Sequence, residues 1–191
     1  GKPGGSGTAI TGNGGNVLNA TEVRPRPAAM LFLEKVYLEP CRHEPRGVEI
    51  FNLNLLRDLA RLGRPVTALV HPDWAPVLRD RLGDAAPELL LLPRGLPGFL
   101  GAAAALFRVR HRRFSCLLTA NVGDRLIPAL NLIRQFGLVR RAALLAHREP
   151  TPRFVRAHGQ LPTAVAAVNR RIAGHFEGGQ YGRVEVFYGV T

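Results

Sequence analysis

The sequence predicts a single α/β domain built on a doubly wound parallel sheet. Short runs that are apolar throughout alternate with segments whose apolar residues recur at helical spacing. Glycines and prolines punctuate the joins, where turns belong. Strands that are apolar on both faces and separated by helices imply a sheet covered on both sides. The apolar fraction, 46% of 191 residues, is enough for one real core.

Residues 1–29 stand outside this pattern. They are rich in Gly, Asn, Thr and Pro and repeat at no helix or strand period, so they are expected to be a disordered lead or a segment appended to the native domain. The domain proper is expected to span 30–191, starting near Met30, the only methionine.

Leu31 to Leu38 reads as the first strand, followed by a loop with Pro40, Pro45 and Gly47. Val48, Phe51, Leu55, Leu59 and Leu62 then mark one face of a helix, which Gly63 caps and Pro65 stops. Val66 to His71 is the second strand, and Pro72-Asp73 opens a short helix through Leu82. Leu89 to Leu92 is a third strand, and residues 97–112 read as helix. Ser115 to Ala120 is the fourth strand, and Asp124 begins a helix closed by Gly137. Ala142 to Ala146 and Ala164 to Val168 are the fifth and sixth strands. A short helix over 169–176 follows, then a last strand over 184–188. The whole is a Rossmann-like arrangement with right-handed crossovers. Sites in such sheets lie beyond the carboxyl ends of the strands, which singles out the loops 39–49, 71–74, 121–124 and 147–153.

The formal net charge is +12, and the only lysines are Lys2 and Lys35. Such a charge attracts something anionic, or it covers solvated helix faces with arginine. Cys41 and Cys116 fit neither a disulfide framework nor a zinc site, and reduced thiols suit a cytoplasmic protein. No G-x-G-x-x-G turn follows a strand, which disfavours NAD binding and P-loop hydrolysis. No G-x-S-x-G elbow supports a hydrolase.

Three segments resemble the N-terminal half of retaining GT-B glycosyltransferases (glycosyltransferase family 4-like). The first is Arg46-Gly47-Val48-Glu49 and its helix from Asn52 to Gly63, leading through Arg64-Pro65-Val66 into a strand; the family has a Gly-Gly-x-Glu loop and "L-x-x-x-G-H-x-V". Here Arg46 replaces the first glycine and Arg64 the histidine. The second is Ala143 to His147, similar to a family strand that ends in histidine. The third is Ala164 to Asn169 with Val184 to Val190, where Tyr188-Gly189-Val190 stands for Asn-Gly-Val.

The resemblance implies an acceptor-binding domain of an enzyme that moves a sugar from a nucleotide-sugar to a glycoconjugate or polysaccharide. It implies no cofactor and no metal, and catalytic incompleteness without a C-terminal donor domain. His147 would be the catalytic-site residue and Arg46 and Gly47 would face the donor phosphates. Glu49, Asn121, Arg148 and Glu149 would meet the acceptor; Glu149 would otherwise pair with Arg148. Glu177 and Glu185 have the spacing of the family's donor glutamates, but Glu185 lies in an alternating, strand-like stretch and does not fit that loop.

The apolar run Leu96 to Phe107, followed by Arg108, Arg110, Arg112 and Arg113, reads either as a core helix with a charged end or as a foot on an anionic membrane, where lipid-linked acceptors are found. An alternative function is a basic module for nucleic acid or another polyanion, although no base-stacking aromatic pattern accompanies the charge.

Overall fold

The computed structural model describes residues 28–177 and 181–186. The expectations for residues 1–27 and for Tyr188-Gly189-Val190 lie outside the described residues.

The strands are β1 (Met30–Leu33), β2 (Val66–Val70), β3 (Glu88–Leu91), β4 (Leu117–Thr119), β5 (Ala142–Ala146), β6 (Thr163–Ala167) and β7 (Tyr181–Val186). They form one sheet in the order β3-β2-β1-β4-β5-β6-β7, and every pairing is parallel. The helices are α1 (Lys35–Leu38), α2 (Gly47–Arg61), α3 (Trp74–Leu82), α4 (Gly98–Arg108), α5 (Ile127–Gln135), α6 (Pro152–His158) and α7 (Arg170–Gly174). The doubly wound α/β architecture that the sequence predicts is therefore present.

Side chains alternate between two cores. Leu31, Leu33, Leu117 and Leu144 point to the face packed by α4 to α7, with Leu106, Ile133, Phe154 and Ile172. Phe32, Ala68, Val70 and Leu118 point to the other, with Leu53, Leu56, Trp74 and Leu78 of α2 and α3. This second layer ends at β4. On that side Ala143, Leu145 and Ala166 are half-buried and Ala164 is exposed, so among the described residues the sheet is covered on both faces over only part of its width.

Four details depart from the sequence reading. β1 stops at Leu33 because Glu34 turns the chain, its carboxylate accepting the Val36 N–H at 3.4 Å as the cap of α1. Four apolar-rich residues do not distinguish a strand from a single helical turn. The face of α2 that enters the core carries Asn52, Leu53 and Leu56, while Val48 and Leu62 of the expected stripe are exposed. The sequence reading assigns no element to α6, whose first two residues fall in the expected loop 147–153. Its signal is Thr151-Pro152: the Thr151 hydroxyl accepts the Phe154 N–H at 3.1 Å, and proline takes the first helical turn, where its missing N–H costs nothing. β7 begins at Tyr181, three residues earlier than the pattern suggests.

Gly63 closes α2 as expected. With φ at 64° it turns the chain so that Gly63 N–H reaches Ala60 O and Arg64 N–H reaches Leu59 O, both at 2.9 Å.

Candidate functional site

β1 and β4 are neighbours, but the chain leaves β1 towards β2 and returns to build β4 on its other side. The crevice beyond their carboxyl ends is where open α/β sheets hold ligands. It is lined from three elements: the end of β1, the β4–α5 loop and the end of β5.

The loop before α2 supplies Arg46 and Gly47. Gly47 has φ at 41°, a left-handed conformation that a side chain resists, so glycine is required here. Arg46 is exposed, and its N–H donates to Glu49 Oε2 at 2.8 Å. Glu49 is thereby the cap of α2, and its other oxygen lies 4.0 Å from His43 Nε2. The sequence reading placed Glu49 against an acceptor; in the fold its carboxylate orders the helix start.

His147 follows β5 directly. Its ring meets Phe51, one turn into α2, edge to face with centroids 4.3 Å apart. That contact brings the histidine and the glycine turn onto the same rim. Partial burial pushes the His147 pKa down, so the imidazole is neutral near pH 7.

Asn121 and Arg148 meet at one residue. Asn121 Oδ1 accepts the Val122 N–H at 2.8 Å, and Arg148 donates twice to the Val122 carbonyl, at 3.1 and 2.8 Å. They set the β4–α5 loop against the end of β5. Glu149 turns away from this group to pair with Arg171 of α7, and its second oxygen is 4.0 Å from His175. The expected Glu149–Arg148 pair does not form.

The sequence reading missed the most unusual group at this rim. Glu34 is fully buried and its Oε2 has no hydrogen-bond partner of regular geometry among the described residues. Burial raises its pKa from 4.5 to about 7, although Asn121 and the Arg148 charge pull the other way. Tyr37 and Asn52 are also fully buried, and the Tyr37 hydroxyl and both polar atoms of the Asn52 amide find no partner among the described residues. The visible signal was a carboxylate closing the apolar run Leu31-Phe32-Leu33. Taking the strand through to Leu38 concealed it.

Trp74 fixes this end of the molecule. Its Nε1 donates to the carbonyls of Val36 and Glu39, at 3.1 and 3.0 Å, and its ring meets Tyr37 edge to face at 4.9 Å. Among the described residues no group of three or more His, Cys, Asp or Glu is placed to hold a metal ion, and no helix is long and apolar enough to cross a membrane. The rim thus offers a glycine turn at a helix start, a neutral histidine, an ordered loop and a protonatable buried carboxyl. Compared with known proteins, the chain matches no family model and has no significant match among curated proteins.

Proposed function

We propose that this domain is the acceptor-side half of a GT-B-like glycosyltransferase, acting on a nucleotide-sugar and a glycan or lipid-linked acceptor together with a C-terminal donor domain. The observation that carries the reading is the contact between Phe51 and His147, which sets the Gly47 turn and the β5 histidine side by side on the ligand-binding rim of a parallel sheet. Glycosyl transfer needs the departing diphosphate and the sugar held in one geometry. The amides at the start of α2, with the helix dipole behind them, favour phosphate oxygens. Exposed Arg46 adds a bidentate donor beside them. His147, its pKa lowered by burial, stands at the end of β5, where the resemblance puts the sugar. Among the described residues Ala143, Leu145 and Ala166 are only half-buried and Ala164 is exposed, which leaves room for a further segment beside this site.

The polyanion reading is weaker because the arginines around α4 serve the fold. Arg108 donates to Leu91 O, Arg112 forks onto Glu88, and Arg110 covers the Phe107 ring. The test is a chain extended past Thr191, incubated with labelled nucleotide-sugars and glycan or polyprenyl-phosphate acceptors. Transfer is expected, falling about a hundredfold or more in His147→Ala. An extended chain without a second Rossmann domain, or a His147→Ala variant of full activity, overturns the reading.

A further inference from the structure

Two cavities at the rim lie end to end along α1, and none of the residues discussed so far as donor or acceptor contacts lines them. One, of about 310 Å³, is walled by Leu38, Gly98, Phe99 and Pro128, with Lys35 and Arg125 at its edge. The other, of about 360 Å³, is lined by Val36, Arg42, His43 and Trp74. Glu39 and Arg125 belong to both, and their ion pair at 2.9 Å stands at the junction. Each volume lies in the range of roughly 300–1,000 Å³ usual for small-molecule sites.

The two compartments differ in character. The first is apolar; Phe99 of its lining is 54% exposed, and Leu96 and Leu100, near it in the chain, are exposed at 42% and 45%. Its wall is a close fit: a Cβ on Gly98 would sit 2.8 Å from the Leu38 carbonyl oxygen, so α4 reaches α1 only through glycine. The second compartment is basic. In it Arg125 is balanced by Glu39, whereas Arg42 forms no ion pair among the described residues; nor does Lys35, at the edge of the first compartment. The loop that carries Arg42 and His43 runs on to Gly47, and His43 approaches Glu49 of α2. The apolar end therefore includes exposed Phe99, and the basic end is lined by the loop that leads to Gly47.

The geometry points to a binding site for a phosphorylated amphiphile, with its hydrocarbon against Leu38, Phe99 and Pro128 and its phosphate between Arg42, Arg125 and Lys35. Charge complementarity selects the head group, since Lys35 and Arg42, on either side of the Glu39–Arg125 pair, form no ion pair among the described residues. A lipid phosphate is the source that uses both compartments; free phosphate uses only one. The inference rests on the acceptor-side reading for its biological meaning, naming lipid phosphate as the acceptor class. The binding itself is measurable without sugar transfer.

Trp74 is the only tryptophan and lines the basic compartment, so its fluorescence reports occupancy there. The experiment titrates the chain with n-alkyl phosphates from butyl to decyl below their micelle concentrations. Inorganic phosphate and alkyl glucosides of equal length serve as controls, and calorimetry reads the same series independently of the tryptophan. Affinity is expected to rise two- to fourfold per methylene, the increment for withdrawing CH₂ from water. Inorganic phosphate and the glucosides bind at least tenfold more weakly than decyl phosphate. Phe99→Asp flattens the chain-length dependence. Arg42→Ala and Arg125→Ala weaken every homologue equally and leave its slope unchanged. These side chains are exposed, and thermal melting verifies that each variant folds; Lys35→Ala replaces any that does not. Affinity independent of chain length, or glucosides that bind as tightly as phosphates, overturns the inference. Failure here with sugar transfer intact leaves a soluble acceptor; binding here without transfer removes the enzyme and keeps the site.

Discussion

The two ends of the sheet treat the same chemistry in opposite ways. At the amino end, Glu88 opens β3 beside Thr67 of β2 and Arg112 ahead of β4. Arg112 donates to both Glu88 oxygens at 2.7 Å, and the Thr67 hydroxyl donates to Oε2 at 2.6 Å. The Arg112 guanidinium holds the Glu88 pKa below the ordinary carboxylate value. At the carboxyl end, Glu34 also has an arginine nearby, but Arg148 spends its donors on Val122 and burial drives the carboxyl up to about 7. Buried polar groups are normally paired, because an unmade hydrogen bond inside the protein is costly. The amino end obeys that rule and reads as structural. Among the described residues the carboxyl end breaks it at Glu34 Oε2, the Tyr37 hydroxyl and the Asn52 amide.

Replacing the buried carboxyl gives the largest expected effect. A folded pKa of about 7 against an unfolded 4.5 means the native state keeps a proton that the unfolded chain releases. Stability is then fully present below pH 4.5 and declines as pH rises through 7. Glu34→Gln is expected to stabilise the domain by about 3 kcal/mol at pH 8 and by little at pH 4.5, read by urea unfolding. His158 has the opposite slope. It is buried beneath Thr119 and Thr163, its pKa is lowered from 6.5 to about 4, and its contribution is lost as pH falls through that range. In the wild type the two slopes offset each other between pH 4.5 and 6.5. Glu34→Gln should therefore uncover a stability that climbs with pH across this window. Parallel profiles for the two proteins would place the ionisation elsewhere.

A second pair of substitutions sets the ends directly against each other. Asn52→Leu removes an amide whose polar atoms have no partner among the described residues and keeps its branched shape, with two methyls for the oxygen and nitrogen. It is expected to stabilise by about 1–3 kcal/mol, the cost of burying an unsatisfied group. Thr67→Val removes a hydroxyl that is bonded to Glu88 and should destabilise by about 1 kcal/mol. Changes of the same sign at both positions in chemical denaturation would abolish the distinction drawn between them.

The sheet was legible in the sequence because strand order follows from apolar runs and punctuation, both local signals. Ala142 to Ala146 and the glycine stops at Gly63, Gly83 and Gly137 fall where the pattern puts them. Arg46, Gly47 and His147 are candidates by the family resemblance, and the fold sets them in the segments that follow β1 and β5. Their roles were less legible, since a partner distant in sequence decides what a polar side chain does. Glu49 caps its own helix, Arg148 serves Val122, and Glu149 is drawn to Arg171, a residue 22 positions on. Glu34 escaped because burial, not sequence position, makes a carboxyl unusual. The amphipathic cleft over α1 joins residues from 35 to 128, and only the sheet crossing brings them together.

The smallest effect belongs to the best-made interaction. The Arg112–Glu88 fork is half exposed, so solvent and salt screen it, and Arg112→Ala is expected to cost only about 1 kcal/mol near neutral pH. Arg112→Lys should lose most of that, because an ammonium cannot reproduce two parallel N–H donors. The Glu88 pKa is depressed in the folded state, so its contribution is present above the unfolded value and disappears as pH falls through the folded one. Wild type and Arg112→Ala should thus converge in stability at acid pH, the side on which Glu34 is stabilising. A double-mutant cycle with Glu88→Gln measures the coupling. A value several times larger than 1 kcal/mol would mean that the amino end holds its own concentrated electrostatic site, and that the contrast between the two ends is one of sign and not of size.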